Sequence, residues 1–169
     1  RRLFDLGLAP YMDGFNIHPY TPYPPDRHGF VENIRAFVKL VRERKGDVPL
    51  ISTEQGFAAP YAEEVKQMEG NVRVALILLG EGFSLHCAFW GYDFGNDHFN
   101  WFDGDYGYTY NLELKTRRWS GFNSPRPSIS ALSAACLFLD GKRAVAVNGG
   151  ADGYALSLRS TKTDGLFEV

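Results

Sequence analysis

The order of the apolar runs constrains this chain more than any other feature. "DGFNIHPY" carries an alternating run, about Asp13 to His18, that reads as a short strand ended by Pro19. After the Pro-rich loop "PYTPYPPDRHG", the residues Val31, Ile34, Phe37, Val38 and Val41 recur at helical spacing. Gly46 and Asp47 end that helix, and "VPLIST" follows as a near-continuous apolar strand of the kind a parallel sheet buries on both faces. A second helix is expected from about Ala62 to Leu79, with Val65, Met68, Val72, Leu76 and Leu79 on its buried side. "FSLHCAFW" reads as a third strand. A long loop, Gly91 to Pro127, then leads to a last helix, with Ser128 as N-cap and Ile129, Leu132, Cys136 and Leu139 as the buried face. From Lys142 the pattern is that of a β-hairpin.

Strands alternating with helices of about 14 to 18 residues imply βαβ units and a parallel sheet. An open doubly wound sheet and part of a (β/α)8 barrel both satisfy that order. No Gly-rich phosphate loop follows any strand, so the dinucleotide-binding version of the open sheet lacks its signature. Polar and aromatic residues gather after the strands instead: His18 and Tyr20, then Glu54, then Trp90 and Tyr92. That is how a barrel builds its C-terminal rim, and the barrel is the expected fold.

Composition removes several function classes. The formal charge of −2, with both signs spread along the chain, forms no basic stripe for nucleic acid. No apolar stretch is long enough to span a bilayer. Cys87 and Cys136 have no metal or redox spacing and are expected as two buried free thiols, with a bridge as the alternative. Aromatic residues make up 15% of the chain, many of them in loops where rings can serve as platforms for flat ligand faces. The chain opens without an initiator Met on "RRLFDLGLAPYMDG" and stops on a strand-like run, so it is expected to be a fragment cut at both ends.

The charged residue that stands out is Glu54, in "PLISTEQGF". A strand-end carboxylate can simply face solvent or pair with an arginine. It can also point into a functional mouth, with Gly56 leaving room for a ligand to approach. His18 and Tyr20 can donate hydrogen bonds to a carboxylate or to a substrate hydroxyl, or they can merely cap the strand and pack on the loop. A metal site from His18, Glu54 and His86 is disfavoured, because His86 lies inside its strand below the rim and no HxH pair occurs. Trp90 can be core or the floor of a sugar site, with Tyr92 and with Trp101 in "GNDHFNWFDGD".

Together these stretches resemble the second half of a clan A glycoside hydrolase, the (β/α)8 superfamily of retaining glycosidases that includes families 39 and 5. "DGFNIHPY" resembles the sixth-strand motif, "PLISTEQGF" the seventh strand with its nucleophilic glutamate, and "HCAFWGYDF" the eighth with its subsite tryptophan. "SPRPSISALSAACLFLDG" resembles the approach to the final helix. The similarity runs from Leu3 to about Gly141.

The resemblance implies a retaining glycosidase acting on a carbohydrate substrate without cofactor or metal. Glu54 would be its nucleophile, positioned by His18 and Tyr20, with Trp90, Tyr92 and Trp101 binding substrate. Residues 1–141 would be the C-terminal portion of the barrel, about strands six to eight, and residues 142–169 the beginning of a β-sandwich-like segment. An extracellular or periplasmic location goes with it. Retaining hydrolysis needs two carboxyl groups about 5–5.5 Å apart. The family's acid/base glutamate follows an asparagine, and no Asn-Glu pair occurs here. The acid/base group is therefore expected in a missing N-terminal half, and this chain alone should be inactive. A barrel that binds glycans through its rim aromatics without hydrolysing them is the alternative.

Overall fold

The structure is a computed structural model that describes residues 2–59, 63–89, 91, 106–111, 123–150, 153–161 and 166–169. A short helix α1 (Arg2–Asp5) precedes strand β1 (Phe15–Ile17), helix α2 (Phe30–Lys45), strand β2 (Leu50–Gln55), helix α3 (Glu64–Gly80) and strand β3 (Leu85–Ala88). β1, β2 and β3 form a parallel sheet in that order, with Phe15 beside Leu50 and Ser52 beside His86. The chain is thus a mixed α/β fold with helical crossovers between parallel strands, as the alternating pattern requires.

The core lies between this sheet and its two helices. Phe15 and Leu50 pack with Phe30, Val31, Ile34 and Val41 from α2 and with Val74, Ile77 and Leu78 from α3. Side chains alternate across a strand, so Asn16, Ile51, Thr53 and Leu85 fall on the other face, where Leu85 is 49% exposed. One face of the sheet is therefore sealed by helices, and among the described residues the other is exposed at Leu85.

α3 departs from the sequence expectation. Its buried residues are Gln67, Gly70, Asn71, Val74, Ile77 and Leu78. The expected stripe of Met68, Val72, Leu76 and Leu79 is only half-buried, and Val65 is 58% exposed. Two stripes run along this helix, and the deeper one begins with two amides and a glycine, which apolar periodicity does not register. Gly70 sits there because a Cβ would stand 2.7 Å from the Phe57 ring.

Between β3 and the last helix lies a short antiparallel pair, β4 (Thr109–Asn111) and β5 (Asn123–Pro125). Helix α4 (Pro127–Leu139) then packs along α3. Ser128 is not its N-cap: Arg126 holds that position, Pro127 supplies the first turn, and the Ser128 hydroxyl donates 2.7 Å to Gln67 Oε1. The expected buried face of α4 is also revised. Ile129 and Cys136 are exposed and Leu132 and Leu139 half-buried, while Ala131, Ala135, Phe138 and Leu139 line a groove of about 570 Å³ shared with Met68, Val72 and Leu76 of α3. Both cysteines are free, but neither is buried: Cys87 is half-buried on its four-residue strand and Cys136 faces out of α4.

β6 (Lys142–Gly150), β7 (Gly153–Ser160) and β8 (Leu166–Glu168) form a three-stranded antiparallel sheet. It docks on the C-terminal end of α3. The Tyr154 hydroxyl lies 3.1 Å from the Ile77 carbonyl and 3.0 Å from Glu81 Oε1, and Arg35 of α2 reaches Glu81 at 2.9 Å and the Gly149 carbonyl at 3.5 Å. No helix among the described residues is long and apolar enough to cross a membrane.

Candidate functional site

β2 runs past its last ladder contact with β1 and carries Thr53 and Glu54 to the C-terminal edge of the sheet. The register between β2 and β3 shifts between Ser52 and Gln55. Such a bulge re-aims the side chains within it, and Glu54 is one of them. The same edge receives the end of β1, so His18 and Tyr20 arrive beside Glu54 because parallel strands finish together.

Three sequence-expected residues do meet here. The Tyr20 hydroxyl donates to Glu54 Oε1 at 2.7 Å. His18 Nδ1 stands 3.5 Å from Glu54 Oε2, while its Nε2 lies 3.0 Å from Thr53 Oγ1. A Thr53 hydroxyl donating to Nε2 places the ring proton on Nδ1, toward the carboxylate. Thr53 is held in turn, since its backbone N–H donates 3.1 Å to Asn16 Oδ1. Glu54 is about one-third exposed, so it is reachable from solvent and yet caged on both oxygens. Its partners are a phenol and an imidazole, not an arginine.

An aromatic cluster walls the site. Tyr20 meets Phe89 and Tyr106 edge-on, with ring centroids 6.4 and 6.1 Å apart, and Phe89 meets Tyr106 at 5.7 Å. Phe89 is brought in by its backbone N–H, which donates 2.7 Å to the Gln55 carbonyl. Gly56 was expected to leave room for a ligand. That space is instead taken by the Phe89 carbonyl and, at 3.2 Å, the Tyr106 ring, so the glycine serves close packing of the chain itself.

Trp90, Tyr92 and Trp101 lie outside the described residues. Sequence reasoning missed Asn16, Thr53, Phe89 and Tyr106. Asn16 and Thr53 occupy alternate strand positions facing away from the apolar core, and that polarity on a β1–β2 pair was the available signal. Tyr106 arrives from a loop that no periodicity locates.

His86 is separate from this cluster. Its Nδ1 lies 3.3 Å from Ser52 Oγ, and burial pushes the imidazole down to about 4. It stays neutral near pH 7 and belongs to the sheet interior. Among the described residues no three His, Cys, Asp or Glu side chains group to hold a metal ion.

No family model matches the chain, and no curated protein matches it. Among solved structures it is similar to a family 39 glycoside hydrolase from the gut symbiont Bacteroides cellulosilyticus WH2, with a TM-score of 0.68 at 18% identity. The fold is glycoside-hydrolase-like. The match covers 93% of this chain and 33% of that one, so the chain spans about a third of the length of the glycoside hydrolase. At this identity the relation is distant and concerns the arrangement of the elements.

Proposed function

We propose that this chain is the C-terminal portion of a (β/α)8 retaining glycosidase, with Glu54 as nucleophile and the acid/base carboxylate on a part of the protein outside these residues. Residues 1–141 then belong to the barrel, and 142–169 begin an appended β-rich segment. The face of the parallel sheet that carries Asn16, Thr53 and Leu85 becomes the side turned toward the remaining strands. The observation that carries the reading is the Tyr20–Glu54 hydrogen bond at the C-terminal edge of the sheet, with His18 on the second oxygen.

The chemistry follows from that geometry. One Glu54 oxygen attacks the anomeric carbon as the bond to the leaving oxygen breaks, and the external acid supplies the leaving group's proton. Tyr20 and His18 orient the carboxylate and stabilise its charge until the ester forms. Water, deprotonated by the same external group, then attacks the anomeric carbon and returns Glu54 as the free anion. Tyr20, Phe89 and Tyr106 offer ring surfaces beside the reacting carbon, suited to the CH face of a sugar.

The test is to incubate the full-length protein containing this chain with a panel of activated 2-fluoro glycosides and map the adduct by peptide mass. A sugar ester on Glu54, absent in Glu54→Gln, is the expected result. Labelling of another carboxylate by a protein that hydrolyses glycosides would overturn the assignment. Glycan binding without labelling or hydrolysis would favour the non-catalytic barrel.

A further inference from the structure

The segment carrying Tyr20 is gripped from behind by α3. The Tyr23 hydroxyl donates to Glu69, and Arg73 holds Asp26 at 2.9 Å while lying 3.7 Å from Glu69. Glu69 and Arg73 are four residues apart on one helix face, and they seize the loop at two points three residues apart. The strand-end segment on the other side of the site is held by the same stretch of helix. Phe57, three residues beyond Glu54, packs over Gly70 and meets the Tyr23 ring edge-on at 6.4 Å.

We infer that Glu69 and Arg73 are positioning residues for the Tyr20–Glu54 pair, acting through Tyr23 and Asp26. Its catalytic consequence rests on the reading of Glu54 as nucleophile; the positioning itself does not. The link between Tyr23 and Tyr20 is short and stiff. Only Thr21 and Pro22 intervene, and the stretch from 19 to 25 contains Pro19, Pro22, Pro24 and Pro25, each with its φ locked. A shift of the Tyr23 ring therefore travels to the Tyr20 hydroxyl instead of dissipating in the loop. The Glu69 acceptor, followed by burial, raises the Tyr23 phenol above its ordinary value, so it remains a donor across the working pH range.

The Glu69–Arg73 pair itself adds little to global stability. Glu69 and Arg73 are 39% and 44% exposed, and an ion pair so exposed contributes little to folding, while Asp26, at 15% exposed, anchors the Arg73 grip more firmly. That separation makes the inference testable. In the full chain with tyrosines labelled by 13C at Cζ, the Tyr20 resonance is assigned by its loss in Tyr20→Phe. Its position without an acceptor is read from Glu54→Ala.

Glu69→Ala and Tyr23→Phe are each expected to move the Tyr20 resonance toward that acceptor-free position. Glu69→Gln, which still accepts a hydrogen bond from Tyr23, should leave it in place. An unmoved Tyr20 resonance in Tyr23→Phe, a change small enough to keep the fold, would overturn the inference even if Glu69→Ala unfolds.

In the full-length protein, Glu69→Ala should slow labelling of Glu54 by the 2-fluoro glycoside roughly ten- to a hundredfold, with restoration by Glu69→Gln. If the wild-type protein does not label at all, the glycosidase reading fails, while the resonance experiment still decides the positioning role.

Discussion

α3 and α4 lie side by side and behave differently. α3 mixes Glu, Lys, Gln, Asn and Arg with its apolar residues and yet buries a full stripe, down to Leu78 with no exposed surface. α4, "PSISALSAACLFL", carries no charge, yet among its residues only Ser128 is buried, and Leu137 is 79% exposed. The more apolar helix is the less buried one. Burial depends on what stands opposite: α3 lies between the sheet and α4, while among the described residues α4 packs along α3 and meets β5. A helix apolar nearly all round belongs where partners cover more than one side. A barrel of the kind proposed would supply such a partner beyond these residues.

The contrast can be broken by mutation. Leu78→Ala in α3 is expected to cost about 3 kcal/mol in urea unfolding, within the range for fully buried leucines. If it costs as little as a surface change, the inner stripe of α3 is not core.

The pH dependence tests whether the sealed side of the sheet is dry. His86 binds a proton only below about 4 in the folded chain but near the ordinary histidine value of 6.5 when unfolded. Between those values the unfolded state holds the extra proton, so stability falls as pH is lowered from 6.5 toward 4, by about 3 kcal/mol in all. Unfolding free energies across that window should show the slope, and His86→Asn should flatten it.

Gly80→Ala is expected to cost about 1–3 kcal/mol, because its Cβ would press on the Tyr154 hydroxyl and the Leu156 side chain. A thermal scan against Gly7→Ala, where a Cβ meets nothing within 4 Å though φ is +73°, separates crowding from backbone strain. The smallest effect is expected for Leu137→Ala in α4, within about 0.5 kcal/mol in this chain. A cost of several kcal/mol for the same change in the full-length protein would show that a further element covers α4 there.

Much of this fold was legible because its signals are local. The apolar strand "VPLIST", the helix with Val31, Ile34 and Val41 and the Pro19 stop all stand where spacing put them, and Glu54, His18 and Tyr20 converge because parallel strands end together. What escaped depends on partners remote in sequence. Gln67 and Asn71 look like solvent residues until Ser128, sixty-one positions after Gln67, arrives to bond one of them. The α4 face was misplaced because a uniformly apolar helix has no periodicity to read. Gly56 looked like room for a ligand and proved to be a seat for Phe89, a contact set by the chain's return through β3.

The docking of Tyr154 on the last turn of α3 has a consequence for anyone who trims or grafts this polypeptide. The same helix is clasped at one end by the C-terminal sheet and farther back by the loop that aims Tyr20. Glu69 and Arg73 lie mid-helix, and Ile77 and Glu81 at its C-terminal end. Removing the sheet after residue 141 would free the C-terminal end of the helix that also holds the Tyr23 loop. A boundary drawn after residue 141 would therefore cut contacts of the same helix that carries the Glu69 and Arg73 grips.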